Sequence, residues 1–413
     1  MTRLLVLLAM LGSIAPARAQ TIAITGGTVH TGSGQTIPDG TVVLRDGKIL
    51  AVGSGVHIPA DAERIDATGK WVTPGLFHGY STIGTTLFLI GSLDKVQENQ
   101  RAGDINASFR VAEGIDPAIM TIPVARLEGI TTTVSVPEGG LIPGQAALID
   151  LAGERLEDLV VNPGIAMVAV LTESSKPAGG GSRAGVLERL RLLFRDAREY
   201  AKRRQDFRAA RIQPLSAPAS ELEALLPVLD GRQPLLVAAN RRSDIESALR
   251  LKREFGFRLI LTGALEGWTI ADQLARDGVP VGLAPLANVP SFDAPRARLD
   301  NAALLRKAGV AVFIIQSDRA HYRDLRQAAG NAVRSGMSWE DALAAVTSVP
   351  ASAFGVAGSH GTLQPGRVAN VVVWSGDPFE LSSQAEHVFI HGREVPRTSR
   401  QTELRERYRT LSR

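Results

Sequence analysis

Cysteine is absent from the 413 residues. Disulfides, thiolate metal ligands and cysteine nucleophiles are therefore excluded, and the fold must be held by its core. Aromatic residues are few, at 5% of the chain, and only seven histidines are present. Strong charge of either sign is also missing. The formal net charge of +4 is weak for this length, which argues against a nucleic-acid partner. Beyond the N-terminus no apolar run is long enough to cross a bilayer, so no membrane partner is expected. There is no G-x-G-x-x-G or P-loop, which disfavours an open nucleotide-binding sheet. No internal repeat of fixed period is visible.

What is present starts with "MTRLLVLLAMLGSIAPARAQ". Arg3 precedes an apolar run from Leu4 to Ile14, and Ala17-Arg18-Ala19 offers a small-residue cleavage site. Residues 1–19 read as a cleaved signal peptide, and the mature protein is expected to be secreted or periplasmic. Its removal takes away Arg3 and Arg18 and no acid, so +4 falls to about +2. Residues 20–70 then alternate apolar and polar side chains between glycine-rich turns, as in "GTVVLRDGKILAVGSG", a β texture that returns over 366–396 in "ANVVVWSGDPFE" and "AEHVFIHGREV". These two parts predict one small β-sandwich built from both chain ends. Over 71–365 the rhythm becomes strand then helix. "GIAMVAVL", "QPLLVAAN", "FRLILTG", "VPVGLAP" and "VAVFIIQSD" are the strand patterns, with helical patterns such as "SDIESALRLKREFG" between them. That alternation predicts an α/β fold, a (β/α)8 TIM-type barrel. "PAGGGSRAG" after Lys176 reads as a flexible loop, and 397–413 as a basic, exposed tail.

Three stretches carry a family likeness: "VTPGL" at Val72–Leu76, "LEGITTTVSVPEGGLIPGQAALIDL", and "GMSWEDALAAVTSVPASAFGVAGSHGTLQPGRVANVVVWSGDPFE". With them the chain resembles the amidohydrolase superfamily, and more closely its exported imidazolonepropionase-like branch. The resemblance implies a hydrolase of carbon–nitrogen bonds with zinc or another divalent metal at the C-terminal mouth of the barrel. In such enzymes metal acidifies water and an aspartate handles the proton. The family places a His-x-His pair on the first strand, a lysine or glutamate on the fourth, a histidine each on the fifth and sixth, and an aspartate on the eighth.

Carried over position by position, the pattern breaks. Tyr80 and Thr82 fall where the His-x-His pair is expected, and His78 lies two residues early, on the same face one layer lower. Ala238 stands at the fifth-strand position with Asn240 nearby, and Thr262 at the sixth, where Glu266 follows. "IQSD" keeps Asp318 beside Gln316, and "AVLTESSK" supplies Glu173 and Lys176 on the fourth strand. Alanine has no donor atom, and neutral hydroxyls bind zinc poorly beside imidazole. The expectation is thus no bound metal, with Asp318 as the catalytic candidate and Tyr80, Thr82, Glu173, Asn240, Thr262, Glu266 and Gln316 as a ligand-binding set. His321 is the base available to any hydroxyl nucleophile. Asn370 replaces a family aspartate at a structural position. Plainer roles stand beside these: a cap for Asp318, rim packing for Glu266 and Trp268, a tight turn around Gln145, ion pairs for Arg241 and Arg242. The function expected is a metal-less homologue that binds a small molecule or partners an active paralogue, or else itself as a homo-oligomer. The alternatives are an active hydrolase with a relocated site and an assembly protein.

Overall fold

The computed structural model describes residues 21–88, 95–209, 211, 213–316 and 324–409. The expected signal segment and the stretch carrying Asp318 and His321 lie outside the described residues. Five strands come first: β1 Thr21–His30, β2 Thr36–Arg45, β3 Lys48–Gly53, β4 Glu63–Asp66 and β5 Trp71–Pro74. Then follow β6 Leu76–Ser81, a small antiparallel ribbon of β7 Thr86–Phe88 and β8 Lys95–Gln97, β9 Ile130–Ser135, β10 Gly144–Asp150 and β11 Val160–Val170. The rest are β12 Leu235–Ala239, β13 Leu259–Gly263, β14 Val281–Leu283, β15 Val312–Ile314, β16 Val371–Trp374, β17 Ala385–Ile390 and β18 Arg393–Glu394.

Both chain ends share one sheet, in the order β18-β17-β16-β5-β1-β2-β3, with β4 also on β1. It is mixed. β1 runs parallel to β4 along Ile22–Thr25 and to β5 along Thr28–Val29, changing neighbours at Gly26–Gly27. Its alternating residues bury a core of their own, with Ile24, Val42, Leu44, Val72, Val371 and Phe389 fully enclosed. β5 belongs to this sheet through its antiparallel pairing with β16, so the sheet reaches Pro74, past the boundary at 71 expected from sequence. The chain crosses to the barrel at Gly75. A Cβ there would lie 2.1 Å from Thr131 Oγ1, so only glycine passes.

The second sheet is a nearly closed, TIM-like barrel in the order β15-β14-β13-β12-β11-β10-β9-β6. Helices such as Arg183–Lys202 and Arg242–Phe255 cover its outer face, burying Leu190, Phe194, Ile245 and Leu249 against strand residues such as Val237 and Leu261. The expected (β/α)8 pattern fails at one strand, because β10 is antiparallel to both β9 and β11. The reason is connection length. Only loop 136–143 precedes β10, and only the short helix Leu156–Leu159 separates it from β11, too little for the crossover a parallel pair requires. The inner face is filled by Phe77, Val134, Leu148, Val168, Leu236, Ile260, Phe313 and Phe354. Gly79 and Gly282 make room for the Phe313 ring, since a Cβ at either would lie within 2.7 Å of it.

Candidate functional site at the barrel mouth

Side-chain alternation decides which residues look into the barrel. Val168, Leu236 and Ile260 pack in the inner core, so two residues further on Val170, Ala238 and Thr262 face the same side, at the C-terminal strand ends. They are direct neighbours, with Val170 opposite Ala238 and Ala238 opposite Thr262. Val170 and Ala238 are only half-buried, whereas Thr262 is buried. Tyr80 packs on the same inner core. Thr82 is buried one residue beyond the end of β6. Three polar atoms in this region are buried with no hydrogen-bond partner among the described residues: Thr82 Oγ1, Thr262 Oγ1 and Gln316 Nε2.

His78 is fully buried and bridges β6 to the segment after β15, the two ends of the barrel ladder. The Tyr80 backbone N–H donates to its Nδ1 at 3.2 Å, so Nε2 carries the proton and donates to Gln316 Oε1 at 3.0 Å. Burial, against the weaker pull of Gln316, lowers its pKa to about 4. It is a neutral seam residue whose two nitrogens are both engaged. Gln316 is accordingly a seam partner whose amide NH2 has no acceptor among the described residues.

The remaining expected site residues are spent on the rim. Glu173 is half exposed and pairs with Lys176 at 2.5 Å and Arg183 at 3.0 Å, away from the inner face. Glu266 is a structural acceptor. Its Oε2 takes the Arg242 backbone N–H and its Oε1 that of Arg296, each at 2.9 Å, fixing a helix start and the loop after β14. Asn240 donates to Asp293 at 3.1 Å, where Arg183 also lands at 2.8 Å. Arg241 holds the Asp293 carbonyl and Arg242 pairs with Glu246. Trp268 donates to the Arg296 carbonyl, and Gln145 to that of Ala107. Glu173, Asn240 and Glu266 are thus engaged with the loops around the mouth. Among the described residues no group of three or more His, Cys, Asp or Glu is placed to hold a metal ion.

At the opposite end lies a cluster that spacing along the sequence did not reveal. Asp150 is fully buried at the end of β10. Its Oδ1 accepts from Thr132 Oγ1 at 2.6 Å and Asn370 Nδ2 at 3.1 Å. Its Oδ2 accepts from His360 Nε2 at 3.1 Å and His391 Nε2 at 2.6 Å. Burial alone would raise this carboxyl, yet the histidine hydrogen bonds and charge attraction hold it far below the carboxylate range. The hydrogen bond that His391 donates to Asp150, outweighing burial, raises the His391 pKa. Asn370 is an amide because it must donate here while its Oδ1 accepts the His391 backbone N–H at 3.0 Å. An aspartate could not donate.

Comparison with known proteins fits this geometry. Residues 245–396 match the profile described as Amidohydrolase family. An amidohydrolase from Thermotoga maritima MSB8 superposes with a TM-score of 0.82 at 26% identity, covering 91% of this chain and 100% of that one. These findings support the amidohydrolase superfamily. The imidazolonepropionase of Acidiphilium cryptum is 24% identical over 378 residues, 83% of this chain and 89% of its own. Amidohydrolase tasK of Hapsidospora irregularis is also 24% identical, over 387 residues. That match takes in 86% of this amidohydrolase-like chain but only 39% of tasK, so the chain spans about two fifths of that curated relative's length.

Proposed function

We propose that this chain is an exported amidohydrolase-type barrel that has lost the superfamily's metal centre and binds a small ligand at the mouth, alone or as the non-catalytic subunit of an active paralogue. One observation carries the reading. Ala238 and Thr262, aligned to two histidine positions by the family resemblance, face the barrel interior side by side, and neither offers an imidazole. Tyr80, on the same core, adds a neutral phenol. This donor set does not fit a catalytic zinc, which takes about three nitrogen, sulfur or carboxylate ligands. The Thr82 and Thr262 hydroxyls and the Gln316 amide NH2, without partners among the described residues, instead supply neutral hydrogen-bonding atoms beside an apolar wall, the makeup of a small-molecule pocket. Residues 1–19 would direct export, and the end sheet would fold at Gly26–Gly27 into the layers of a small sandwich.

The hydrolase relatives favour a second reading, an active enzyme with an atypical site that includes Asp318. One experiment separates the two. The mature chain is loaded with zinc or manganese, desalted and analysed for metal, then assayed on dipeptides and cyclic amides. The expected result is no stoichiometric metal and no chelator-sensitive hydrolysis. About one metal per chain, with activity abolished by chelator and by Asp318→Ala, overturns the metal-less reading.

A further inference from the structure

Exposed hydrophobic side chains gather in the loop that follows β14, residues 284–300. Ten large ones are exposed among the described residues, and four of them, Leu286, Val289, Phe292 and Leu299, fall in this loop. Leu286, Val289 and Leu299 are each about half exposed, and Phe292 is exposed over its whole side chain, at 101%. Such residues scattered singly need no explanation, but a group of them at one place marks a contact surface.

The loop that carries them is tied down. The Asp293 carboxylate takes Arg183 at 2.8 Å and Asn240 at 3.1 Å. Arg241 donates to the carbonyls of Phe292 and Asp293, at 2.5 and 2.9 Å. Further along, Glu266 accepts the Arg296 backbone N–H and Trp268 donates to the Arg296 carbonyl. Ala294 and Ala297 are buried, and Pro285, Pro290 and Pro295 restrict the backbone. Asn240 and Arg241 follow directly on β12, so the loop lies at the mouth end of the barrel. The backbone at Phe292 is thus anchored while its ring is uncovered. A rigid aromatic group presented in this way has little freedom to lose on contact.

We infer that this loop is the centre of a twofold interface with a second copy of this chain, in which Phe292 of each copy lies on Leu286 and Val289 of the other. Two observations select that occupant. One is area. An exposed phenylalanine offers about 200 Å², and the three half-exposed residues bring the total to roughly 400 Å² per copy. A stable interface takes about 800 Å² per partner, a little over half of it apolar, so the loop supplies that apolar share. The other is charge. Around the loop the charges come as pairs of both signs: Arg242 with Glu246 at 2.8 Å, Arg298 with Asp300 at 2.6 Å, and Arg183 and Arg241 with Asp293. A patch that meets its own copy needs both signs on one surface, whereas an anionic lipid surface is met by unpaired bases.

Sedimentation velocity on the mature chain, over about 0.1 to 100 µM, tests this, with a dimer of Kd about 10 µM or tighter expected. Each substitution enters the twofold interface twice. Phe292→Ser should therefore raise Kd about a hundredfold or more, and Val289→Ser about tenfold. Both side chains are exposed, so the urea midpoint of either variant at matched monomer concentration should equal that of the wild type. Leu381→Ser, 72% exposed in the loop between β16 and β17, is the control and should leave Kd unchanged. Flotation with phosphatidylglycerol vesicles is the second arm. A wild type that stays monomeric throughout overturns the assignment, and if it also floats with the vesicles the loop faces lipid instead. A dimer that Phe292→Ser leaves intact, or that Leu381→Ser weakens as much, overturns it as well.

Discussion

His78 and His391 carry opposite pH signatures, because one faces only neutral groups and the other a carboxylate. His78 has a folded pKa of about 4 against an ordinary 6.5. The unfolded chain takes up its proton first, so stability is lost as pH falls from 6.5 and levels off near 4, by about 3 kcal/mol in total at ~1.4 kcal/mol per unit. Urea midpoints of wild type and His78→Gln at pH 7 and pH 4.5 check this. The wild type should lose about 2–3 kcal/mol more over that interval, and equal losses would refute it. His391 works the other way. Its raised pKa gives stability that is present below pH 6.5 and lost as pH rises through the higher folded value. Comparing His391→Gln with wild type between pH 6 and 9 should show the gap close as pH rises. Asp150 sets the acid side of the same cluster, with stability fully present above 3.8 and lost progressively as pH falls below it toward the depressed folded value. Asp150→Asn removes the charge that four donors converge on, and should cost about 3–5 kcal/mol. None of this was legible in the sequence. Asp150, His360, Asn370 and His391 are widely separated, and a histidine in a β turn or return loop looks like any other.

At the scale of elements, the strand and helix rhythm was readable because period-2 and period-3.6 patterns are local. The direction of β10 was not. "GLIPGQ" reads as a turn, and only the length of its flanking connections makes the following strand antiparallel. Site residues on strands, Ala238 and Thr262, could be placed from alternation once the strand was identified. Residues just beyond strand ends could not, and that is where Glu173, Asn240 and Glu266 turned to the rim. Glu266 shows what such a residue does. It accepts two backbone N–H groups, from Arg242 and Arg296, with one oxygen each. Glu266→Ala leaves both donors without their anion and should cost about 3 kcal/mol in denaturant unfolding. Glu266→Gln keeps one acceptor oxygen and should cost visibly less. A loss under 1 kcal/mol for the alanine variant would mean that water replaces the carboxylate. Gly75→Ala is the backbone counterpart, since its Cβ would collide with Thr131 at the crossing between the two sheets.

For the whole molecule, the question is whether sheet and barrel unfold together. A chain of this length has every opportunity to unfold in stages. Three contacts argue otherwise. The Asp150 cluster joins β10 of the barrel to His360 in the return segment and to Asn370 and His391 of the end sheet. Arg326, on the barrel helix Leu325–Arg334, pairs with Glu128 at 2.6 Å and donates to the carbonyls of Pro378, Glu380 and Ser383 in the loop that links β16 to β17. Trp374 of β16 is buried, bonded to Thr73 and pressed on Gly129, where a Cβ would lie 2.3 Å from its ring. Opening this interface would leave a buried carboxylate and a guanidinium without their partners at once, so a state with barrel folded and sheet released lies high. Of the four tryptophans, Trp71 and Trp374 belong to the end sheet and Trp339 packs on Trp71 with ring centroids 5.2 Å apart, so fluorescence weights the sheet and its contact with the barrel, while far-UV circular dichroism at 222 nm weights the barrel helices. The two signals are expected to share one midpoint in urea at pH 7. In Arg326→Leu the midpoints should fall together, with a loss of about 3 kcal/mol or more, because Glu128 and three carbonyls lose their shared donor. A fluorescence transition that precedes the loss of helix in the wild type would show that the interface yields first and that the sheet is a separate folding unit.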